Sequence, residues 1–91
     1  MDIKVFKALA DETRMEILES IIDDNCCLDK ACACELIKKF DISQPTLSHH
    51  VKILTDAGLI NCIKNGKYTY FTINRERINE ILLFLARFSN D

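Results

Sequence analysis

Between Asp41 and Ile73 the chain reads DISQPTLSHHVKILTDAGLINCIKNGKYTYFTI, and the order of its punctuation leaves few folds open. Ser43 suits an N-cap, because its hydroxyl can accept from the free amides of a first helical turn. Pro45, the only proline, fits that first turn, where a missing amide costs nothing. The helix so begun is predicted over 44–57 and stops at Gly58, a C′ residue expected to have positive φ. Two β-prone runs follow, 59–64 and 67–73. They flank Asn65-Gly66, a hairpin signal in which both turn residues need positive φ. In that register Lys64 faces Lys67 beside the tip. Like charges across a hairpin cost some stability. They make sense where a phosphate backbone lies close, or more simply as a way to keep the tip soluble.

Within the helix, Leu47, Val51 and Leu54 fall at i, i+4 and i+7 and form the buried stripe. At about 100° per residue, Gln44, Ser48, His49 and Lys52 then face away from it, with Thr46 and His50 on the flanks. That outward face is small, polar and rich in donors. It can enter a major groove, which admits one helix and displays a distinct donor and acceptor pattern for each base pair. An ordinary solvated helix face would look similar. The hairpin behind it tips the reading toward a helix-turn-helix with a wing.

The rest of the chain reads as support for this unit. Asp2 to Ala10 is predicted as a short amphipathic helix, with Ile3, Phe6 and Ala10 on one side and Val5 and Leu9 close by. Asp11 caps a second helix, Glu12 to about Ile22, whose stripe is Met15, Leu18 and Ile22, widened by Ile17 and Ile21. Cys26-Cys27-Leu28 is expected as an extended link. A third helix, with Cys32-Ala33-Cys34-Glu35 at its start, ends at Phe40 and buries Leu36, Ile37 and Phe40. Asp41-Ile42-Ser43 is then the tight turn between two helices. Asn74 caps a final helix to about Phe88, in which Ile78, Ile81, Leu82, Leu83, Phe84, Leu85 and Phe88 leave almost no polar side. So apolar a helix cannot bury every face against one small monomer. A homodimer, with this helix against its symmetry mate and the first helix, is expected to present two reading heads to a palindromic site on double-stranded DNA.

Charge follows the same division. Residues 1–41 carry 6 Lys/Arg against 10 Asp/Glu, whereas residues 42–77 carry 5 against 2, so the positive segment is the reading head. The chain holds 91 residues, enough for a single domain spanning 1–91. No secretory segment opens it, and the longest apolar run, 81–86, is too short to cross a bilayer. A cytoplasmic protein with no membrane partner is expected. No enzyme is expected, because neither histidine has a nucleophile and an orienting acid at a suggestive spacing.

Five cysteines in such a chain, an odd number, argue for metal or redox chemistry over a disulfide framework. Thiolates select soft or borderline ions. In a regular helix Cys32 and Cys34 would point about 200° apart. They can grip one ion only if Cys32 lies in a frayed or extended first turn. A helix N-terminus favours thiolate, and Cys26 or Cys27 can add a third sulfur. Three thiolates suit trivalent arsenic or antimony; a fourth ligand suits cadmium, lead or zinc. Small buried hydrophobes are the plainer role for cysteines, and that is the role expected of Cys62.

Three strings together resemble the ArsR/SmtB family of bacterial winged-helix repressors. They are Phe6-Lys7-Ala8-Leu9-Ala10-Asp11-Glu12-Thr13-Arg14, Ser43-Gln44-Pro45-Thr46-Leu47-Ser48-His49-His50-Val51-Lys52, and Ala57-Gly58-Leu59-Ile60. Cys32-Ala33-Cys34-Glu35-Leu36 is similar to the thiolate box of that family's arsenic- and cadmium-sensing members. The resemblance implies a winged helix-turn-helix, mainly α with a small β-hairpin, acting as a homodimeric operator-binding repressor with N- and C-terminal dimerisation helices. It implies release by an inducer, As(III) or Sb(III) first and a soft divalent metal next. It supports DNA roles for Ser43, Gln44, Ser48 and His49, beside Thr46, Lys52, Lys64 and Lys67 from the face and the wing. It supports ligand roles for Cys32 and Cys34. Ile37 stands where arsenic sensors often have a further cysteine, so Cys27 is the expected third ligand. Glu12 stands where proline is usual. The final helix has no histidine and few carboxylates, so the family's zinc site there is not expected. A thiol-redox or persulfide sensor of the same fold, and a winged-helix module that binds protein, are the alternatives.

Overall fold

The computed structural model describes residues 2–23 and 30–89. Five helices and three strands follow in the order α1 (Ile3–Leu9), α2 (Glu12–Asp23), β1 (Lys30–Cys32), α3 (Ala33–Phe40), α4 (Gln44–Asp56), β2 (Ile60–Asn65), β3 (Tyr68–Ile73) and α5 (Arg75–Ser89). The expected link at Cys26-Cys27-Leu28 lies outside the described residues. Helices α3 and α4, joined by Asp41 to Ser43, form the helix-turn-helix, and β2–β3 form the wing.

The boundaries have local causes. The Asp2 carboxylate accepts from the Lys4 amide at 2.9 Å and opens α1. Asp11 Oδ2 accepts from the Arg14 amide at 3.0 Å and opens α2, as the sequence predicts. Asp41 ends α3 in the left-handed region (φ 51), which aspartate tolerates better than most residues. Ser43 Oγ accepts from the Thr46 amide at 3.2 Å and opens α4. Gly58, at φ 77, turns the chain into β2. Asn74 Oδ1 accepts from the Arg77 amide at 3.2 Å to open α5, while its Nδ2 donates to the Gly58 carbonyl at 2.9 Å. One side chain thus clasps the end of α4 to the start of α5.

The core is continuous. Ile17 and Ile21 of α2, Leu36 of α3, Leu47 and Leu54 of α4, Leu59, Ile60 of β2 and Phe71 of β3 are all buried together. The stripe expected on α4 is therefore the observed one. Two stripes are rotated from expectation. In α1 the buried residues are Val5 and Ala8, while Ile3 is 64% exposed. In α2, Ile17, Leu18 and Ile21 are buried with Ser20, whereas Met15 and Ile22 are 39% and 50% exposed. When apolar residues surround a helix, its periodicity does not say which of two adjacent stripes meets the core. In α5 only Ile81 is buried, and Leu82, Leu83 and Phe88 are 59%, 73% and 74% exposed.

The sheet also departs from expectation in two ways. It has three strands in the order β1-β3-β2, because Lys30–Cys32 pairs antiparallel with β3. A three-residue strand leaves too short a pattern to read as alternation. The hairpin register is also shifted: Asn65 pairs with Tyr68 and Lys64 with Thr69. The two turn residues are Gly66 and Lys67, with positive φ only at Gly66, the sign pattern of a type II′ turn. The expected Lys64–Lys67 pair is thus corrected: Lys67 sits in the turn, its Nζ 5.7 Å from the Tyr68 ring centroid.

Candidate nucleic-acid interface and thiol pair

Helix α4 carries most of the candidate DNA-facing residues. Ser43, Gln44, Thr46, Ser48, His49 and Lys52 are all exposed, on the side away from buried Leu47, Val51 and Leu54. The Ser43 hydroxyl donates to Thr46 Oγ1 at 2.9 Å, so these two side chains are engaged with each other at the helix start. Lys52 Nζ lies 3.3 Å from Asp56 Oδ2, an exposed pair one turn apart. Exposed pairs of this kind are worth about 0–1 kcal/mol, so Lys52 can leave Asp56 for a phosphate at little cost.

A groove of about 490 Å³ runs between α3, α4 and the wing. Gln44, Ser48 and Lys52 form one wall, Lys64, Cys62 and Thr69 the other, over a floor that includes Ala33, Val51 and Phe71. The fold therefore gathers Gln44, Ser48, Lys52 and Lys64 around one concavity. Ser43, Thr46, His49 and Lys67 lie outside it, still exposed. Thr69 was not among the expected residues. Its signal is the strand alternation that puts it opposite Lys64, legible only once the register is known.

Cys62 is a correction. It was expected in the core and is exposed. Its face is the right one, since it pairs with buried Phe71. Strand β2 is the sheet edge, however, and every one of its residues beyond Ile60 is exposed among the described residues.

The thiol pair is the second candidate site. Cys32 is the last residue of β1 and the N-cap of α3, with extended backbone (φ −80, ψ 139). This is the geometry the two sulfurs need, and Cys32 Sγ lies 2.7 Å from Cys34 Sγ. Cys32 is buried and Cys34 exposed, so the pair opens to solvent on one side. The thiol of Cys34 is held above its ordinary range, first by its hydrogen bond with Cys32, then by desolvation and by the nearby Cys32 and Glu35 charges. A thiolate favoured by the helix N-terminus was expected; the neighbouring sulfur outweighs that effect. Among the described residues no group of three or more His, Cys, Asp or Glu side chains converges as a metal site. Cys27, the expected third ligand, lies outside the described residues. Cys62 pairs with Phe71 and Cys32 with Tyr70, so the two cysteines project from opposite faces of the sheet.

Comparison with known proteins identifies the family of this fold. Residues 11–61 match the family described as "Bacterial regulatory protein, arsR family". The chain is 42% identical over 77 residues to the arsenical resistance operon repressor of Bacillus subtilis (strain 168), covering 85% of this chain and 70% of that protein. This chain belongs to the bacterial arsR family. The arsR-family chain is also 29% identical to the cadmium resistance transcriptional regulatory protein CadC of Lactococcus lactis subsp. lactis, over 94% of this chain and 69% of that one. Among solved structures, it matches an ArsR family transcriptional regulator with a TM-score of 0.79 at 30% identity, covering 94% of this chain and 84% of that one. It matches HlyU from Vibrio cholerae N16961 with a TM-score of 0.73 at 28% identity, covering 94% and 88%. As a member of this family it is a DNA-binding transcription regulator built on a winged helix-turn-helix. No helix among the described residues is long and apolar enough to cross a membrane.

Proposed function

We propose that this arsR-family chain is a homodimeric repressor that grips a palindromic operator and releases it when a trivalent metalloid binds its thiols. The observation that carries the reading is the thiol pair, two sulfurs 2.7 Å apart at the strand-to-helix corner that begins α3. Arsenite is the favoured inducer. Each As–S bond forms as a thiol proton leaves with an arsenite hydroxyl as water, so the raised Cys34 thiol is no obstacle. Oxidation of the same two thiols is the alternative, and the relatives named arsenical resistance operon repressor favour the metalloid over it. Antimonite stands beside arsenite, and cadmium, lead or zinc come after. Cys27 as the third sulfur is part of the proposal.

The fold supplies a route from thiol to DNA. Cys32 is paired with Tyr70 of β3, the strand that carries the wing, and α3 leads through a three-residue turn into α4. A displacement of Cys32 toward an ion therefore reaches both the wing and the reading helix. Binding of inducer and of DNA then oppose each other through linkage.

Dimerisation is supported by the apolar surface that one copy leaves uncovered, Ile3 of α1 and Leu82, Leu83 and Phe88 of α5. Helices α1 and α5 meet through the Phe6 and Phe84 rings, 5.9 Å apart, and apolar side chains left exposed around such a contact mark an interaction surface. The names of the relatives, arsenical resistance operon repressor among them, support the repressor and metalloid parts of the reading.

The test is a gel-shift titration on a duplex selected from a random pool. Wild-type protein should bind it and release it on adding arsenite. Cys34→Ser should bind equally well and not release. Release that survives in Cys34→Ser would refute the thiol switch. An association that is independent of salt, with no duplex bound, would favour a protein-interaction module instead.

A further inference from the structure

The reading helix carries two adjacent histidines, and the fold puts them to different uses. Their rings lie 5.8 Å apart, tilted by 57°. His49 is exposed on the DNA-facing side, while His50 is half-buried and turns back toward the junction of α1 and α2. There it meets Arg14, from the first turn of α2. Arg14 Nε donates to the Ala8 carbonyl at 2.8 Å and Nη2 to the Lys7 carbonyl at 3.4 Å, both at the end of α1. Its third nitrogen, Nη1, lies 3.3 Å from His50 Nδ1.

A guanidinium has donors and no acceptor. The Arg14–His50 contact is therefore a hydrogen bond only while Nδ1 of His50 is bare, with the ring proton on Nε2. We infer that Arg14 is a positioning residue of the DNA interface: it locks α4 to the end of α1 through neutral His50, and operator affinity falls when His50 takes a proton. This rests on the operator-binding reading above.

The lock does something the core cannot. Leu47, Val51 and Leu54 hold α4 by burial, which is non-directional. Side chains reach about 5–6 Å from a helix axis, so a roll of about 10° moves their tips by about 1 Å, enough to spoil a hydrogen bond to a base edge. The Arg14 fork lies on the flank of the apolar stripe and resists that roll. His49 and Ser48, next along the chain, are carried with it.

The charges around His50 set the response to pH. From α2 come Arg14 and the capping Asp11, whose Oδ2 is 4.0 Å from Nδ1 and already accepts the Arg14 amide. From α1, Lys4 and Lys7 border the cleft that Arg14 shares with Asp56 of α4. His49 is the neighbour on α4 itself. Protonation makes Nδ1 a donor. It cuts the bond to Arg14, sets two cations against each other and redirects the ring toward Asp11.

The experiment is fluorescence anisotropy on the selected duplex at constant ionic strength, from pH about 7.5 to about 5.5, the span over which an imidazole ordinarily takes its proton. The bond lies within the protein, so only the part of its worth, about tenfold or more in an equilibrium constant, that differs between the free and the DNA-bound chain appears in affinity. Wild-type affinity should fall by up to about that factor as the pH drops. His50→Asn places an amide oxygen where Nδ1 was and cannot titrate, so it should keep the affinity seen at the upper pH and fall less on acidification. His50→Ala and Arg14→Ala should be weakened at the upper pH and lose the acid response. Arg14→Lys, which keeps the charge but not the fork, provides the comparison if Arg14→Ala does not fold. Parallel pH profiles for wild type and His50→Asn, or His50→Asn as weak as His50→Ala, would overturn the proposal. No sequence-specific binding by wild type at any pH would overturn the operator reading and this inference with it.

Discussion

Adding one methyl group to each glycine separates backbone strain from crowding at the two ends of β2. Gly58 and Gly66 have φ of 77° and 65°, both in the left-handed region. A residue with a Cβ there costs roughly 1–2 kcal/mol. At Gly66 a Cβ meets nothing within 4 Å, so Gly66→Ala bears that strain alone. At Gly58 a Cβ comes within 2.9 Å of Arg77 Nε and 3.1 Å of Nη2, too close to stand. The obstacle is the end of a flexible side chain whose ion pair, Nη1 to Glu80 Oε2 at 3.3 Å, is largely exposed. Displacing it forfeits an interaction worth about 0–1 kcal/mol. Gly58→Ala should therefore cost roughly 1–3 kcal/mol, at most about 1 kcal/mol beyond Gly66→Ala. For a domain of this size each kcal/mol lowers Tm by about 4–8 °C. Thermal unfolding followed by circular dichroism, at fixed protein concentration because association shifts Tm, measures both variants. Adding Arg77→Ala should remove the excess at Gly58 and leave Gly66→Ala unaffected. An excess of several kcal/mol that persists without Arg77 would refute this account. It would place the constraint in the backbone, where the Gly58 carbonyl accepts from Asn74.

Four further outcomes can be checked. Ser43→Ala removes the cap of α4 and should cost about 0.5–2 kcal/mol, whereas Leu54→Ala, at a fully buried site, should cost about 2–5 kcal/mol; denaturant melts compare them. Leu83→Glu with Phe88→Glu puts charges on the uncovered face of α5 and should shift sedimentation to that of a single chain, without altering its helix content. Loading cadmium should release protons from the Cys32–Cys34 thiols and bind more tightly as pH rises, while arsenite should release water and few protons; isothermal calorimetry in buffers of different ionisation enthalpy tells them apart. The Arg14 amide, the Arg14 charge and the His50 ring hold the Asp11 carboxyl below its ordinary value of 3.8. The folded chain therefore binds fewer protons there than the unfolded one. The stabilisation is complete above that ordinary value and is lost as pH falls through the folded one. Asp11→Asn should flatten that part of the acid-unfolding profile.

Much of the reading head was legible because its signals are local. A serine cap, a proline in the first turn, an apolar stripe at i, i+4, i+7 and a terminal glycine all act within one helix, and α4 begins and ends where they place it. The exposed face of α4 follows from the same periodicity. So does the condition on Cys32: a Cys-x-Cys pair can meet only if the first residue is extended, and it is.

Tertiary structure decided what periodicity leaves open. Ile3, Met15 and Ile22 were as eligible for the core as Val5, Leu18 and Ile21, and only the packing of α1 and α2 against α4 and the sheet chose between them. The hairpin register depended on which residues occupy the turn. A type II′ turn at Gly66-Lys67 places Lys64 opposite Thr69, whereas the Asn65-Gly66 reading would have paired it with Lys67. Cys62 has the face expected of it, yet its exposure depends on how far the groove between α4 and the wing is filled. His50 and Arg14 are 36 positions apart, and no local rule connects them. Propensity, capping and periodicity act over a few residues, whereas burial and side-chain partnership are properties of the assembled chain.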